Sequence, residues 1–311
     1  MLKIATRGSL LALAQANHIK GLLQNRGQAA ELLVISTRGD EALELNLADN
    51  LDKGLFTSEV EAAVASKRAD LAVHSLKDMP SETHDLCSAP MVIERETPED
   101  LLIVASNSVG PDASLPLVEG SRVGTSAARR IALLRHYRTD VEAIPIRGNV
   151  PTRLKKLVNG EVDALLLARA GLRRLHLNPR EFTCFRLHPQ RWLPAPGQGA
   201  IAVQIHADAT ELVPIIGAIS DASAARQVAL ERQALSLAEG SCHVAIGAFA
   251  QAHEEGRWSL LLGLGGGPNG WQTTRVEGDY EQLAARANQQ LKQGKTEFLE
   301  GTCWELLQGA P

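Results

Sequence analysis

The chain has 311 residues, 44% of them hydrophobic and 22% charged. That length holds two or three domains of ~100–200 residues, and the composition excludes a disordered chain, a collagen-like chain and a coiled-coil rod. The formal net charge of −4 argues against a dedicated nucleic-acid binder. It hides an asymmetry, because Arg122 to Arg191 holds 13 Arg and 2 Lys against 5 acidic residues, a net of +10, while the other 241 residues carry −14. One basic segment in an otherwise acidic protein points to an anionic ligand.

Residues 2–6 are a short apolar run that predicts a strand. Ser9 can cap a helix over 10–26, with Gly27 as its stop. Residues 31–36 read as a second strand, and the polar, glycine-punctuated stretch 37–54 as a long loop. A helix is expected over 57–68, where Val60 and Val64 stand four apart, then a strand over 71–74. Apolar runs at 91–93 and 101–105 predict further strands. The pattern resumes after Gly120 with strand 122–124, helix 126–138, strand 141–146, helix 151–158 and strand 162–168. Strands alternating with helices imply βαβ units and largely parallel sheets, an α/β fold. Residues 194–199 read as a hinge or linker and 200–205 as one more strand. The last third predicts a small α+β domain: helix 221–239, strands 244–251, 257–262 and 272–276, and helices 280–293 and 296–307. Gly265-Gly266-Gly267 reads as a hairpin connection between two of those strands.

Cys87, Cys184, Cys242 and Cys303 lie far apart, with no CxxC pair or Cys/His spacing, so no metal site is expected. No run approaches the ~20 apolar residues of a membrane span, and the N-terminus lacks a signal-peptide core. These features predict a soluble, cytoplasmic protein with free thiols and no membrane association.

Three strand-to-helix turns share one design. Ala5-Thr6-Arg7-Gly8-Ser9, Gly124-Thr125-Ser126-Ala127-Ala128-Arg129-Arg130 and Arg147-Gly148-Asn149-Val150-Pro151-Thr152-Arg153 each put hydroxyls, backbone N–H groups and arginines at a predicted helix start. The dipole and the open N–H groups favour an anion there, and arginine adds bidentate pairing to carboxylate or phosphate. Neither GxxxxGK[ST] nor GxGxxG is present, so three such turns point to several separate negative groups rather than to a nucleotide. In His74-Ser75-Leu76-Lys77-Asp78-Met79-Pro80 a carboxylate and an ammonium stand adjacent at a strand end. An ionised Asp78 would accept N–H donors and stabilise developing positive charge. The competing reading is a surface ion pair, and His74 reads as a structural strand histidine. Cys242, in Glu239-Gly240-Ser241-Cys242-His243, falls on a predicted loop that suits either a reactive thiol or a small buried side chain. Lys53-Gly54-Leu55-Phe56 reads equally as a lid edge, with Phe56 stacking on a flat ligand, or as a turn before a core Phe.

Lys3-Ile4-Ala5-Thr6-Arg7, Lys53-Gly54-Leu55-Phe56, His74-Ser75-Leu76-Lys77-Asp78-Met79-Pro80, Arg147-Gly148-Asn149-Val150, Pro194-Ala195-Pro196-Gly197-Gln198-Gly199-Ala200 and Glu239-Gly240-Ser241-Cys242 occur in that order. Together they closely resemble the porphobilinogen deaminase (hydroxymethylbilane synthase) family, through essentially the whole chain. The resemblance implies two type II periplasmic-binding-protein-like domains and a C-terminal α+β domain. Their expected bounds are 1–98 with 195–217, 99–194, and 218–311, with the active cleft between the first two. It implies a dipyrromethane cofactor held covalently, by a thioether, on Cys242. Four porphobilinogens are then condensed head to tail with loss of ammonia, and hydrolysis frees hydroxymethylbilane for haem biosynthesis.

By position, the resemblance gives the cofactor and substrate carboxylates to Arg7, Ser9, Ser75, Thr125, Ser126, Arg129, Arg130, Arg147, Gly148, Asn149, Arg153, Arg174 and Gln198. Asp78, with Lys77 beside it, takes the catalytic place, and Lys53 and Phe56 belong to the loop. Porphobilinogen is the implied partner, with no nucleic acid, no membrane and a monomeric state. Gly8, Leu10, Ala127, Pro151 and Ala245 depart from common family residues and bear on local contacts. Two other classes compete with this reading. A polycarboxylate-binding solute receptor fits a two-domain cleft but not the missing signal peptide. An RNA binder fits the basic segment but not the 4% aromatic content.

Overall fold

A computed structural model describes residues 1–37, 57–82, 84–111, 114–238, 245–267, 270–297 and 301–307. The chain forms two compact units, Met1–Glu96 with Gly199–Arg226, and Thr97–Gln198 with Gln227–Pro311.

The first unit opens with β1 (Leu2–Arg7), α1 (Leu10–Gln24), β2 (Ala30–Ile35), α2 (Ser58–Ala65), β3 (Leu71–Ser75) and β4 (Met91–Arg95). The second supplies β5 (Asp100–Val104), β6 (Arg122–Gly124), α3 (Ala128–Tyr137), β7 (Glu142–Ile144), α4 (Val150–Val158), β8 (Ala164–Ala168), α5 (Arg169–Arg174) and β9 (Thr183–Leu187). The chain then returns to the first unit with β10 (Ala200–Ile205) and α6 (Val213–Gly217). Helix α7 (Ala222–Ala238) leads to β11 (Ala245–Ala252), β12 (Trp258–Gly267), β13 (Gly270–Gly278), α8 (Tyr280–Lys292) and β14 (Trp304–Leu306).

The first sheet has the order β2-β1-β3-β10-β4. β1 runs parallel to β2 and β3, whereas β10 is antiparallel to both β3 and β4. The second sheet, β14-β9-β5-β8-β6-β7, repeats that plan: β6 is parallel to β7 and β8, and β5 is antiparallel to β8 and β9. In each sheet the strand antiparallel to neighbours on both sides, β10 or β5, is the one the chain lays down as it crosses over, and β14 adds a further antiparallel edge to the second sheet. The sheets are therefore mixed, not largely parallel as the alternation predicts. This is an α/β fold with two mixed sheets of matching plan and a separate three-stranded C-terminal sheet.

α1 buries Ala16, Ile19 and Leu23 against Ile4, Leu71, Val73, Ile201 and Val203, which makes one face of the first sheet dry. α2 covers the other face with Val60, Ala63 and Val64 against Ala5 and Ala72. Each fully buried Val, Leu or Ile among these stabilises the unit by about 1.5–3 kcal/mol. This packing holds β1 and β3 so that their carboxyl ends, where ligands bind in open α/β sheets, lie side by side.

The C-terminal sheet, order β11-β12-β13, buries one face under α8. Gly265-Gly266-Gly267 lies inside β12, with Gly265 opposite Ala245 and Gly267 opposite Gly270, so it is not the hairpin connection. Close approach is the reason. A Cβ on Gly263 would fall 2.3 Å from Trp271 Cζ2, and one on Gly265 would fall 2.7 Å from Ala132 Cβ of α3. The glycines admit Trp271 and Leu193 into the core shared with the second sheet. Gly263→Ala is expected to lower stability by about 1–3 kcal/mol through overpacking, readable as a lower urea midpoint at unchanged m-value.

The helix expected over 296–307 is absent where the chain is described. Trp304–Leu306 instead forms β14, pairing antiparallel with β9. Trp304 packs edge-on against Phe185, and Cys303 is buried with its thiol donating to the Ser114 carbonyl at 3.1 Å. Long-range pairing has overridden local helical propensity there. α5 and β9 had no strong periodic signal and were not expected.

Candidate active site

In the first unit, Arg7 ends β1 and Ser9 follows as the N-cap of α1. The Ser9 hydroxyl accepts a hydrogen bond from the Ala12 N–H at 3.3 Å. Ser75 ends β3, and the chain tightens into a single 3₁₀ turn, Leu76–Asp78. Leu76 is the buried peg of that turn, Lys77 is half-buried and Asp78 is exposed. Arg7, Ser9, Gln15, Thr57, Ser75 and Asp78 line one cavity. A guanidinium, hydroxyls and an acceptor carboxylate thus share one small space. That set suits a ligand carrying both carboxylates and N–H donors.

Gln15 and Thr57 were not picked out from the sequence. Gln15 is only 3% exposed, and its amide lies 2.9 Å (Nε2) and 3.0 Å (Oε1) from the Ser75 hydroxyl. A signal was available: Gln15 is a polar residue on the helical face that also carries Ala16, Ile19 and Leu23.

In the second unit, the turn from β6 to α3 has Ala127 as N-cap, with no side-chain capping bond. The Ser126 hydroxyl both donates to the Ile146 carbonyl at 2.8 Å and accepts from its N–H at 2.9 Å, pinning this turn to the next strand. Thr125 is buried and its hydroxyl accepts from the Ala127 N–H. The turn into α4 is built by Gly148, at φ 105, and by Asn149, whose side chain caps the helix through the Thr152 N–H at 2.9 Å. Arg153 donates from Nε to the Gly148 carbonyl at 2.8 Å, while Arg147 and Arg174 are half-buried.

Arg129 and Arg130 are each 6% exposed and converge on Asp100, which is fully buried at the start of β5. Arg130 grips both Asp100 oxygens, through Nε at 3.2 Å and Nη2 at 2.8 Å, and donates from Nη1 to the Leu166 carbonyl at 2.9 Å. Arg129 donates from Nη2 to Asp100 at 2.9 Å and from Nη1 to the Leu193 carbonyl at 2.6 Å. Burial pulls the Arg129 guanidinium below its ordinary value, and Asp100 opposes that shift. Trp192 Nε1 and Gln198 Nε2 complete the Asp100 shell at 3.0 and 2.9 Å. Gly197 is in turn held by Glu231 of α7, fully buried, which accepts from the N–H of Gly197 at 2.8 Å and of Ala250 at 3.0 Å.

Lys53, Phe56 and Cys242 lie outside the described residues. Cys87 and Cys303 are buried, and burial pushes their thiols up to about 11 and about 12, so neither behaves as a thiolate at neutral pH. Among the described residues no cluster of His, Cys, Asp or Glu is arranged to hold a metal ion, and no helix is long and apolar enough to cross a membrane.

A dipyrromethane, two linked pyrroles bearing carboxylate side chains, fits the first-unit cavity by donor type. Arg7, Ser9 and Ser75 suit its carboxylates, and Asp78 suits its pyrrole N–H groups.

Residues 2–214 match the family model described as porphobilinogen deaminase, dipyromethane cofactor binding domain. The chain is 45% identical over 258 residues to a porphobilinogen deaminase of Xanthomonas oryzae pv. oryzae, covering 82% of this chain and 83% of that protein. It is 43% identical to the Stenotrophomonas maltophilia porphobilinogen deaminase over 277 residues, 88% of this chain and 89% of that one. Among solved structures, the VFT2 domain of Bordetella pertussis BvgS aligns at a TM-score of 0.42 and 18% identity, over 72% of this chain and 90% of that chain. An arginine-specific periplasmic binding protein of Salmonella typhimurium aligns at 0.42 and 10%, over 72% and 93%. On the family model and the curated relatives, the chain belongs to the porphobilinogen deaminase family.

Proposed function

We propose that the chain carries out its family's reaction with Asp78 at the reacting centre. The enzyme is a transferase of tetrapyrrole biosynthesis: it condenses four porphobilinogens head to tail, releases ammonia at each addition, and hydrolyses the product to hydroxymethylbilane. The observation that carries the assignment of residues is the shared cavity of Arg7, Ser9, Ser75 and Asp78.

A dipyrromethane held here would supply the pyrrole carbon that takes the first unit, and each later unit would be joined to the one before it. Arg7, with the Ser9 and Ser75 hydroxyls, binds and orients side-chain carboxylates. Asp78 accepts pyrrole N–H groups and offsets positive charge as ammonia leaves the incoming unit, with Lys77 beside it. A fixed carboxylate needs little reorganisation at the moment of reaction, and placement of this kind is where most of the acceleration comes from.

In the second unit, Thr125, Ser126, Arg147, Gly148, Asn149, Arg153 and Arg174 are read as further carboxylate-binding groups. Arg129 joins them through N–H groups not directed at Asp100. Arg130 and Gln198, both engaged by Asp100, act through the frame that fixes Arg129. Lys53 and Phe56 are assigned to the loop, and Cys242 to cofactor attachment. The enzyme is read as a cytoplasmic monomer made of the three domains bounded above.

The attachment is tested by mass. Protein purified from cells making porphobilinogen, then denatured, is expected to carry an adduct of two linked pyrroles on a peptide containing Cys242. Cys242→Ser is expected to lack the adduct and lose turnover. Active enzyme with an unmodified Cys242 would remove that assignment.

A further inference from the structure

Next to Ser75 on β3, His74 borders the Asp78 cavity and belongs to a buried polar cluster to which the reaction above gives no role. Along β3, Val73 packs into the α1-side core and Ala72 into the α2-side core, so period-two alternation puts His74 on the α2 side, opposite Ser75. In the β3–β10 pairing, Ala202 stands opposite His74 and Gln204 opposite Ala72. His74 and Gln204 are therefore diagonal neighbours on one face, within reach of each other's side chains. Glu61 enters from α2. Glu61 and His74 are each 5% exposed and Gln204 is fully buried. Gln204 interacts with both of the others. Among the described residues, Glu61 Oε1, His74 Nε2 and Gln204 Oε1 lack a well-formed hydrogen bond.

The rest of that face is apolar: Ala5, Ile35, Val60, Ala63, Val64 and Ala72. A partly satisfied polar cluster in such surroundings costs stability, and apolar side chains of similar volume there are often neutral or better. Something other than packing is the better account of it. Burial pulls the His74 imidazole down to about 4, against a smaller upward pull from Gln204, and pushes the Glu61 carboxyl up. His84 approaches Glu61, and the Cys87 thiol donates to the Glu61 carbonyl at 3.6 Å. His74 is thus neutral at pH 7, when it can neither carry charge nor act as an acid.

We propose that Glu61, Gln204 and His74 are a positioning unit, which fixes the crossover strand β10 in register on β3 and thereby sets the Ser75–Asp78 turn in the active cavity. β10 is buried along its whole length, so apolar patterning distinguishes its two faces poorly, whereas a one-residue slip would carry Gln204 to the opposite face. The inference rests on the reading of Asp78 given above.

The experiment compares His74→Leu, His74→Gln and Gln204→Leu in cofactor-loaded enzyme. His74→Leu and Gln204→Leu are expected to melt at or near the parent temperature. Their kcat should fall roughly 10-fold or more with KM little changed, because small misplacements of reacting groups are costly. Amide hydrogen exchange of residues 75–79 should quicken in both. His74→Gln, which returns a polar atom near the Nε2 position, should recover kcat to within about 3-fold of the parent. Parent-like kcat in His74→Leu overturns the proposal, as does His74→Gln performing no better than His74→Leu. Failure of both leucine variants to fold also overturns it, by making the cluster structural. Faster exchange at the turn in a protein whose parent form makes no hydroxymethylbilane would count against the functional reading instead.

Discussion

Asp78→Asn is expected to lower turnover by about 10²–10³-fold, the scale on which a positioned acid, base or charge-stabilising group acts. Asparagine keeps the volume and one acceptor oxygen, but it loses the negative charge and turns the second oxygen into a donor facing pyrrole N–H groups. Asp78 is exposed, and the turn that carries it is pegged by the buried Leu76, so folding should hardly notice the change. Surface substitutions of this kind usually move stability by less than ~0.5 kcal/mol. Turnover and melting temperature measured on the same cofactor-loaded preparation check both halves. A rate within a few-fold of the parent would remove Asp78 from the reacting centre. If activity and melting temperature fall together, the carboxylate is holding the turn rather than the ligand.

The local turns around this site are legible in the sequence. Strand, turn and capped helix follow one another closely enough at Arg7-Gly8-Ser9 and at Arg147-Gly148-Asn149 for local rules to place them. Ser9 and Asn149 do cap the helices that follow. What local rules miss is pairing at a distance. β10 and β5 each read as a strand, but nothing near them says that both insert antiparallel into otherwise parallel neighbours. The last strand is three residues long and owes its conformation to β9. Gln15 and Glu231 became informative only through partners 60, 34 and 19 positions away.

The basic segment is the most instructive case. Its +10 excess pointed to an anionic ligand, yet several of its arginines are answered inside the protein. Arg122 pairs with Asp163, Arg138 with Asp140, Arg169 with Glu99, and Arg186 with Glu99 and Glu305. Glu99, Asp100 and Glu305 lie outside the segment, so counting charge along the chain overstates the field left for a ligand. Arg129 and Arg130 are likewise answered by Asp100, so the inference of a polycarboxylate rests on the donor set gathered in the first-unit cavity, Arg7 with Ser9 and Ser75, more than on the sum.

The Asp100 node allows the strongest stability prediction. A fully buried carboxylate here receives the Arg130 Nε and Nη2, the Arg129 Nη2, the Trp192 Nε1 and the Gln198 Nε2. Asp100→Asn removes the charge and presents an amide N–H₂ to groups that are themselves donors. Two guanidiniums, each 6% exposed, would then be left without their counter-charge. Breaking a buried ionic cluster by deleting one partner costs about 3–5 kcal/mol, far more than the intact cluster contributes over an apolar core. For a unit of roughly 200 residues, at about 2–4 °C per kcal/mol, the melting temperature should fall by roughly 10 °C. The node also ties α3 to the 194–199 segment through Gln198, so Arg129 loses its anchor and turnover should fall even in the fraction that stays folded. Calorimetry with rate measurement below the new transition separates the two effects. A loss under ~1 kcal/mol would mean that the guanidiniums find other partners, and Asp100 would then be one acceptor among several rather than the centre that orders them.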